Sequence, residues 1–219
     1  MDKTALFINY RRAKLVKKDS KILELCKNKK VLDVGCVGQD INYDSDNWLH
    51  QRISKVAYSL IGVDIDQAGI DSIKKKNFNA LPFAQLKETS LKFETIIMAD
   101  VIEHVNDPVD FLYSYSKFLD DSGLIVVTTP NSNRGINFIN IFLSNNYNIN
   151  LEHTMWLCPK TFAEIATRAE LEIAQFYWLN QYYDFKSLKV LNKIKFALAN
   201  LLSRYRSNFS HNFMFLLTK

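Results

Sequence analysis

The sequence predicts an α/β fold built on a mostly parallel sheet, and three observations carry that prediction. Short apolar runs alternate with helical patterns, as in a parallel sheet with crossover helices. Several of these runs end beside an acid, as at Asp33, Asp64 and Asp100. The last two runs, residues 171–179 and 211–218, have no ordinary crossover between them, so they are expected to pair as an antiparallel hairpin. A chain of 219 residues is long enough to bury one full core without disulfides, which predicts a single domain.

The first half of the chain supplies one helix and four strands. Ser20 is a suitable cap for a short helix that ends at Cys26. The apolar run at 31–34 predicts the first buried strand, because it is short and is followed by a glycine turn. Three further strands are expected at 58–66, 78–84 and 93–100, of which 78–84 is the weakest because it contains a proline.

The second half begins with a well-marked helix. Asp107 is an expected N-cap, Pro108 fits the first turn, and Gly123 is expected to end this helix. The remaining elements are a fifth strand at 124–131, a helix at 158–170 with one apolar face, and the two final strands.

Cysteine usage and the N-terminus predict a reduced, cytoplasmic protein. Cys26, Cys36 and Cys158 are odd in number and widely spaced, which argues against a disulfide framework or a zinc ribbon. The opening residues have no apolar core followed by a cleavage site. No apolar run approaches the roughly 18 residues of a membrane span.

The loop "VLDVGCVGQD", residues 31–40, has the position of a nucleotide-binding loop but lacks some of its glycines. Val37 and Gln39 stand where such a loop usually carries Gly. A dinucleotide site needs GxGxxG to bring backbone amides to a pyrophosphate, whereas a nucleoside without phosphates does not. Asp64, at the end of the second strand, can accept both ribose hydroxyls. The pattern therefore favours S-adenosylmethionine over NAD.

The chain resembles the class I S-adenosylmethionine-dependent methyltransferases. The matching stretches are "VLDVGCVGQD", "IGVDID", "FETIIMADVIEHVNDPVDFL", "GLIVVTTPN" and "HTMWLCPKTFAEIATRAELEI". The resemblance implies a Rossmann-like, mostly parallel seven-stranded sheet with helices on both faces and a C-terminal antiparallel strand. It also implies that residues 1–219 form a single methyltransferase domain.

The same resemblance implies a set of cofactor-binding residues. Asp64 would hold the ribose and Ile65 would pack on the adenine, while Gln85 is the best substitute for an acid expected near the adenine amine. The residues placed around the methionine end are Gly35, Cys36, Val37, Ala99 and Asp100. Asp33, at the end of the first strand, completes the cofactor-binding set.

The stretch "ADVIEHV" adds a group of titratable residues. If the chain turns helical there, Asp100, Glu103 and His104 fall on one face, and His153 reaches the same sheet edge after the fifth strand. The four resemble the metal-binding set of divalent-metal-dependent O-methyltransferases, which implies Mg²⁺ or Mn²⁺. The alternative is that Glu103 anchors the helix while the two histidines bind the acceptor or act as acid–base groups.

Two histidines at such a site favour O-methylation, because an alcohol needs a base before it can attack a methyl group. A sugar hydroxyl of a surface polysaccharide or glycolipid is the leading acceptor, suggested by the aromatic stretch "FYWLNQYYDF" and by the likeness of "HTMWLCPKTF" to methyltransferases of those pathways. A phenolic quinone precursor comes next. Nucleic acid is disfavoured because the basic residues do not form a broad surface. The weakened glycine loop keeps open a cofactor-binding but inactive regulatory partner.

A basic amphipathic helix is predicted from Phe185 to Arg206, within an insertion at about 182–210 between the last two strands. This segment carries six Lys or Arg residues and no acid, while the whole chain has a net charge of +5. One interpretation packs its apolar stripe on the sheet with the basic face in solvent. The other lays it on an anionic substrate or on the inner face of a membrane, as a peripheral contact.

Overall fold

The computed structural model of the protein describes residues 13–39, 41–146, 149–180 and 190–219. Its strands are β1 (Leu15–Lys17), β2 (Lys30–Val34), β3 (Ser59–Asp64), β4 (Ala80–Pro82), β5 (Phe93–Ala99), β6 (Leu119–Pro130), β7 (Glu172–Asn180) and β8 (Asn212–Thr218). Its α-helices are α1 (Lys18–Cys26), α2 (Leu49–Ser54), α3 (Gln67–Lys74), α4 (Phe83–Lys87), α5 (Pro108–Ser116), α6 (Gly135–Ser144), α7 (Pro159–Arg168) and α8 (Val190–Tyr205). Short 3₁₀ turns occupy Ile102–His104 and Ser207–Phe209.

All eight strands of the described residues form one sheet, in the order β1-β7-β8-β6-β5-β2-β3-β4. Strand β8 is antiparallel to β6 and β7, whereas the other neighbouring strands are parallel. This topology confirms the predicted Rossmann-like sheet and its C-terminal antiparallel strand. The sheet has one strand more than the seven expected, because Leu15–Lys17 adds to the free edge of β7. Three residues are too few to show a strand pattern in the sequence.

The helix expected to run from Pro108 to Gly123 is shorter than predicted. Asp107 caps it as expected, since its side chain accepts hydrogen bonds from the backbone N–H groups of Val109 and Asp110. The helix ends at Ser116, and Gly123 lies inside β6 rather than at a helix stop. Pairing with β5 explains the difference, because Leu119 joins the sheet opposite Phe93.

The sheet buries apolar side chains on both faces. Ile96, Ile97 and Met98 of the central strand β5 are all fully buried, as expected for a parallel strand covered on two sides. One face carries α5 and α7, and the other carries α1 and α2. Because both faces are covered by helices, the open edge at the carboxyl ends of the strands remains available for a ligand.

Helix α8 lies between β7 and β8, where the basic insertion was predicted. Residues 185–189 of the predicted helix fall outside the described residues. In the described part of the chain, no helix is both long and apolar enough to cross a bilayer.

Candidate active site

The carboxyl ends of β2, β3, β5 and β6 open on one cleft of about 870 Å³. Its walls include the loop after β2, the acids that end β3 and β5, and the segment that carries His153. The aspartates noted at strand ends in the sequence therefore come together at one sheet edge.

The glycine loop is shaped by two left-handed residues, Gly35 with φ +78° and Gly38 with φ +66°. A Cβ atom on Gly35 would lie 2.6 Å from Cγ2 of Val101, so only glycine fits there. The side chain of Val37 is buried against Gly69 of α3 instead of lining the methionine end of the cleft. Val37 therefore does not obstruct the cleft, and its contribution to the loop comes from its backbone.

Asp64 holds the loop in place. Its carboxylate accepts hydrogen bonds from the backbone N–H groups of Val37 (2.9 Å), Ile65 (2.7 Å) and Asp66 (3.1 Å). The side chain of Ile65 is 98% exposed and lies on the cleft wall, where a flat apolar ligand could cover it. The structure thus places Asp64 and Ile65 side by side at the cleft, as the predicted ribose and adenine contacts require.

Asp33 is buried and forms a hydrogen bond of 2.8 Å with Nδ1 of His50. His50 is 1% exposed, and its Nε2 has no hydrogen-bond partner among the residues that the structure describes. Next to it, the indole N–H of Trp48 donates to the carbonyl of Cys36 at 2.9 Å. Sequence reasoning missed Trp48 and His50, because a single Trp or His in an irregular segment has no motif to mark it.

The structure does not bring Gln85 to the cleft. This residue is exposed on α4, and α4 begins at Phe83, directly after the short strand β4. The ring of Phe83 packs instead on Tyr115, with centroids 4.5 Å apart, and Tyr115 lines the cleft. The expected contact of Gln85 with the adenine amine therefore has no support in this geometry.

Asp100 adopts a left-handed backbone, with φ +57°, at the end of β5 beside Ala99. Its carboxylate accepts hydrogen bonds from Thr128 (2.9 Å) and Asn212 (3.3 Å), and it forms an ion pair with Lys18. Burial opposes the charge of Lys18, but the attraction of Asp100 outweighs it, and the pKa of Lys18 rises above its ordinary value. Lys18 also lines the cleft. No motif marks Lys18 as a cleft residue, because it reaches the cleft from helix α1, far from Asp100 along the chain.

Glu103, His104 and His153 form a compact cluster with ligand atoms within 4.8 Å of one another. The rings of His104 and His153 meet edge to face with centroids 4.6 Å apart. The backbone N–H of Thr154 donates to the carbonyl of Glu103 at 2.9 Å, which fixes the His153 segment against the 3₁₀ turn. The 3₁₀ turn replaces the α-helix that the sequence suggested. Asp100 does not join this cluster, since its shorter side chain is bound to Lys18, Thr128 and Asn212.

The electrostatics of the cluster favour the neutral forms of Glu103 and His153. Glu103 is 2% exposed; burial, followed by repulsion from Asp100, raises its pKa to about 8. One carboxyl oxygen accepts a hydrogen bond of 3.0 Å from Thr129, and the other has no partner within the described residues. Burial, with the charges of His104 and Arg134, lowers the pKa of His153. An unpaired oxygen beside two imidazoles is a donor set that suits a divalent cation as well as acid–base chemistry.

Comparison with known proteins identifies the family. Residues 7–176 match the family model described as a methyltransferase domain. The chain belongs to this family. This match confirms the methyltransferase family that the resemblance of the sequence implied.

The methyltransferase is similar to curated and solved relatives. It is 29% identical over 112 residues to a ubiquinone biosynthesis O-methyltransferase of Pelagibacter ubique, a match covering 48% of this chain and 43% of that protein. A Rhizobium rhizogenes protein of the same name is 28% identical over 125 residues, covering 53% of this chain and 47% of the relative. The chain therefore aligns with less than half the length of these relatives.

Solved structures share the fold of the methyltransferase. An S-adenosylmethionine-dependent methyltransferase from Archaeoglobus fulgidus has a TM-score of 0.60 at 16% identity, with all of both chains covered. Magnesium protoporphyrin IX methyltransferase from Synechocystis, solved with bound S-adenosylhomocysteine, has a TM-score of 0.59 at 11% identity, covering 92% of this chain and 82% of that one. At these identities the likeness shows the fold alone.

Proposed function

We propose that this methyltransferase transfers a methyl group from S-adenosylmethionine to a hydroxyl oxygen, and that the acceptor is a phenolic small molecule. The observation that carries the proposal is the pair of imidazoles, His104 and His153, on the wall of the cleft that also contains Asp64. Methyl transfer is an in-line displacement, so the enzyme must align the acceptor oxygen, the methyl carbon and the sulfur. A hydroxyl acceptor must also lose a proton, and an imidazole is a base of suitable strength near neutral pH.

In the proposed reaction, His153 accepts the proton of the acceptor hydroxyl. The oxygen then forms a bond to the methyl carbon as the carbon–sulfur bond breaks, and the bonding electrons return to the sulfonium sulfur. The products are a methyl ether, neutral S-adenosylhomocysteine and a protonated His153. Arg134 and His104 lie close enough to His153 to disfavour its charged form, so the proton is passed on readily to solvent.

Three arguments favour a phenolic acceptor over a sugar. A phenol with a pKa near 10 yields its proton to an imidazole more easily than a sugar alcohol does. The aromatic residues that suggested a sugar platform do not face a ligand, since Phe176, Tyr177 and Trp178 are buried in β7. The remaining aromatic residues of that stretch, Tyr182, Tyr183 and Phe185, lie outside the described residues. The curated relatives are named ubiquinone biosynthesis O-methyltransferases, which agrees with a phenolic acceptor.

A metal-assisted reaction is the second candidate, favoured by the unpaired buried oxygen of Glu103. Glu103, His104 and His153 would hold the ion. A divalent cation at this position would lower the pKa of a coordinated hydroxyl group. As a ligand, His153 could not also act as the base, so the two mechanisms are exclusive and can be separated.

The test measures S-adenosylhomocysteine formation with a catechol, a simple phenol and a methyl glycoside as acceptors. Turnover with a phenolic acceptor, lost in His153→Ala while S-adenosylhomocysteine affinity is kept, is the expected result. Leu151→Ala, on the same segment and 97% exposed, is the matched control and should keep its activity. Methylation of the glycoside alone would overturn the phenolic acceptor, and nucleoside binding without any turnover would favour the inactive regulatory partner. Activity that requires Mg²⁺ or Mn²⁺ after chelation would replace the base mechanism with the metal-assisted one.

A further inference from the structure

Helix α8 turns its large apolar side chains toward solvent. The buried residues of this helix are small, Ala199 and Ser203, and its Phe196 and Leu202 are half-buried. The exposed apolar residues are Val190, Leu191, Ile194, Leu198, Leu201 and Tyr205, each between 45% and 73% exposed. With 3.6 residues per turn these six share one face, away from Ala199 and Ser203. The interpretation that this stripe packs on the sheet is therefore wrong for the described part of the helix.

Helix α6 packs beside α8 and has exposed apolar side chains of its own. Gly135, at its start, lies against Ala199 and Leu202, and Lys195 donates hydrogen bonds to Asn140 (3.0 Å) and Ser144 (3.3 Å) nearer its end. The two helices therefore run antiparallel, and the end of α6 lies beside the start of α8. The exposed residues that α6 adds are Phe138, Ile141, Phe142 and Leu143. Ten of the eighteen large, exposed apolar side chains in the described residues thus belong to this one helix pair. A surface this apolar marks an interaction site in a folded protein.

The charged residues of helices α6 and α8 and of the segments that flank them are all basic. By helical position, Lys193 and Arg204 flank the α8 stripe on one side, while Lys195 and Arg206 flank it on the other. No acidic side chain occurs in residues 122–151 or 185–219, which contain both helices. A stripe of leucines bordered by basic side chains is the pattern of a helix that lies in the interface of an anionic bilayer, where the basic heads reach lipid phosphates.

We propose that the α6–α8 surface binds an anionic phospholipid bilayer, with the apolar stripe inserted among the acyl chains and the flanking Lys and Arg residues on the headgroups. A second copy of the chain fits the surface less well. Pairing two such faces would bring like charges together, and neither helix offers an acid to compensate them. Helix α6 starts five residues after Pro130, which lines the cleft. The proposal does not depend on the acceptor of the reaction.

Sedimentation of the full chain with vesicles tests the proposal. Vesicles of phosphatidylcholine mixed with phosphatidylglycerol are expected to retain the protein, and pure phosphatidylcholine vesicles to retain it at least tenfold less. Two variants on the surface, Leu198→Glu/Leu201→Glu and Lys193→Gln/Arg204→Gln, should weaken binding, the second by about fivefold for each charge removed. The matched controls are Tyr58→Glu, exposed at the amino end of β3, and Lys74→Gln/Lys75→Gln at the end of α3.

Wild-type binding that depends on phosphatidylglycerol and is lost only in the two surface variants supports the proposal. Equal binding to both kinds of vesicle, or equal loss in the controls, overturns it. Absence of vesicle binding, together with a dimer in sedimentation equilibrium that Leu198→Glu/Leu201→Glu dissociates, would assign the surface to a second copy instead.

Discussion

Replacing Glu103 by Gln should make the protein more stable in alkaline solution while impairing its function. The Glu103 carboxyl has a pKa of about 8 in the folded chain, against an ordinary value of 4.5, because burial and Asp100 oppose its charge. An acid with a raised pKa stabilises the fold least at high pH. The contribution of Glu103 to the free energy of unfolding is therefore complete below pH 4.5 and is lost as the pH rises through 8.

The size of this effect follows from the two pKa values. Each unit of pKa difference corresponds to about 1.4 kcal/mol, so ionisation of Glu103 costs about 1 kcal/mol at pH 5 and about 5 kcal/mol at pH 9. Gln cannot ionise, and its carbonyl oxygen keeps the hydrogen bond from Thr129. Its amide leaves one buried donor unpaired, at a pH-independent cost of about 1–3 kcal/mol. The difference in free energy of unfolding between the variant and the wild type should therefore shift by about 4 kcal/mol in favour of the variant from pH 5 to pH 9.

The assay is thermal unfolding at pH 5, 7 and 9 of protein from which metal ions have been removed with a chelator. For a chain of this length, 4 kcal/mol corresponds to a relative shift in Tm of about 10 °C. Glu88→Gln, on an exposed carboxylate, is the control and should show no such trend. Parallel pH curves for wild type and Glu103→Gln would refute the claim that Glu103 is held neutral by its surroundings.

Two further residues give distinct predictions. Burial, aided by Arg134, lowers the pKa of His211 to about 4, so its contribution to stability is complete above pH 6.5 and declines by up to about 3 kcal/mol as the pH falls to 4. His211→Asn should flatten the dependence of Tm on pH in that window, and an unchanged slope would contradict the assignment. Gln39 donates to Glu152 and accepts from Asn150 (3.3 Å), which ties the glycine loop to the segment that carries His153. Gln39→Ala should lower kcat about threefold to tenfold with little change in S-adenosylhomocysteine affinity. The control Gln67→Ala should leave both unchanged. A loss confined to S-adenosylhomocysteine affinity would refute the role of Gln39 in positioning the His153 segment.

The sheet could be predicted from the sequence because its central strands carry strong local patterns. Residues 31–34 and 93–99 are short, largely apolar runs followed by Gly35 and Asp100, and both are buried strands in the structure. The boundary near Gly123 was wrong because β6 begins early to pair with β5, and a distant strand leaves no local mark. The edge strand β1 exists only because β7 offers it a partner.

The active site was predicted in part, for a similar reason. Asp64, Glu103, His104 and His153 lie at the cleft because the parallel topology sends every strand end to one edge. Three departures from expectation concern side-chain direction and long-range pairing. Val37 turns into the core, Gln85 faces solvent, and Asp100 is bound by Lys18 from α1 instead of joining the histidines. The spacing of residues in the sequence does not determine which of several neighbouring groups a side chain contacts.

The measurement that tests the account most directly is calorimetric titration of the wild type, Asp64→Asn and Asp66→Asn with S-adenosylhomocysteine. Asp64 accepts three backbone hydrogen bonds at the cleft, whereas Asp66 lines the same wall and, among the described residues, accepts no capping hydrogen bond through its side chain at the start of α3. In Asp64→Asn, one carboxylate oxygen is replaced by an NH₂ group, which donates and cannot accept a hydrogen bond. This group would either face the N–H of Val37 or leave a ribose hydroxyl without its acceptor. Asp64→Asn should lose about 2–3 kcal/mol of binding free energy, which weakens S-adenosylhomocysteine binding by roughly 30- to 150-fold. Asp66→Asn should bind as the wild type does. Equal affinity in all three proteins would contradict the placement of the nucleoside beside Asp64, and with it the proposed arrangement of donor and acceptor.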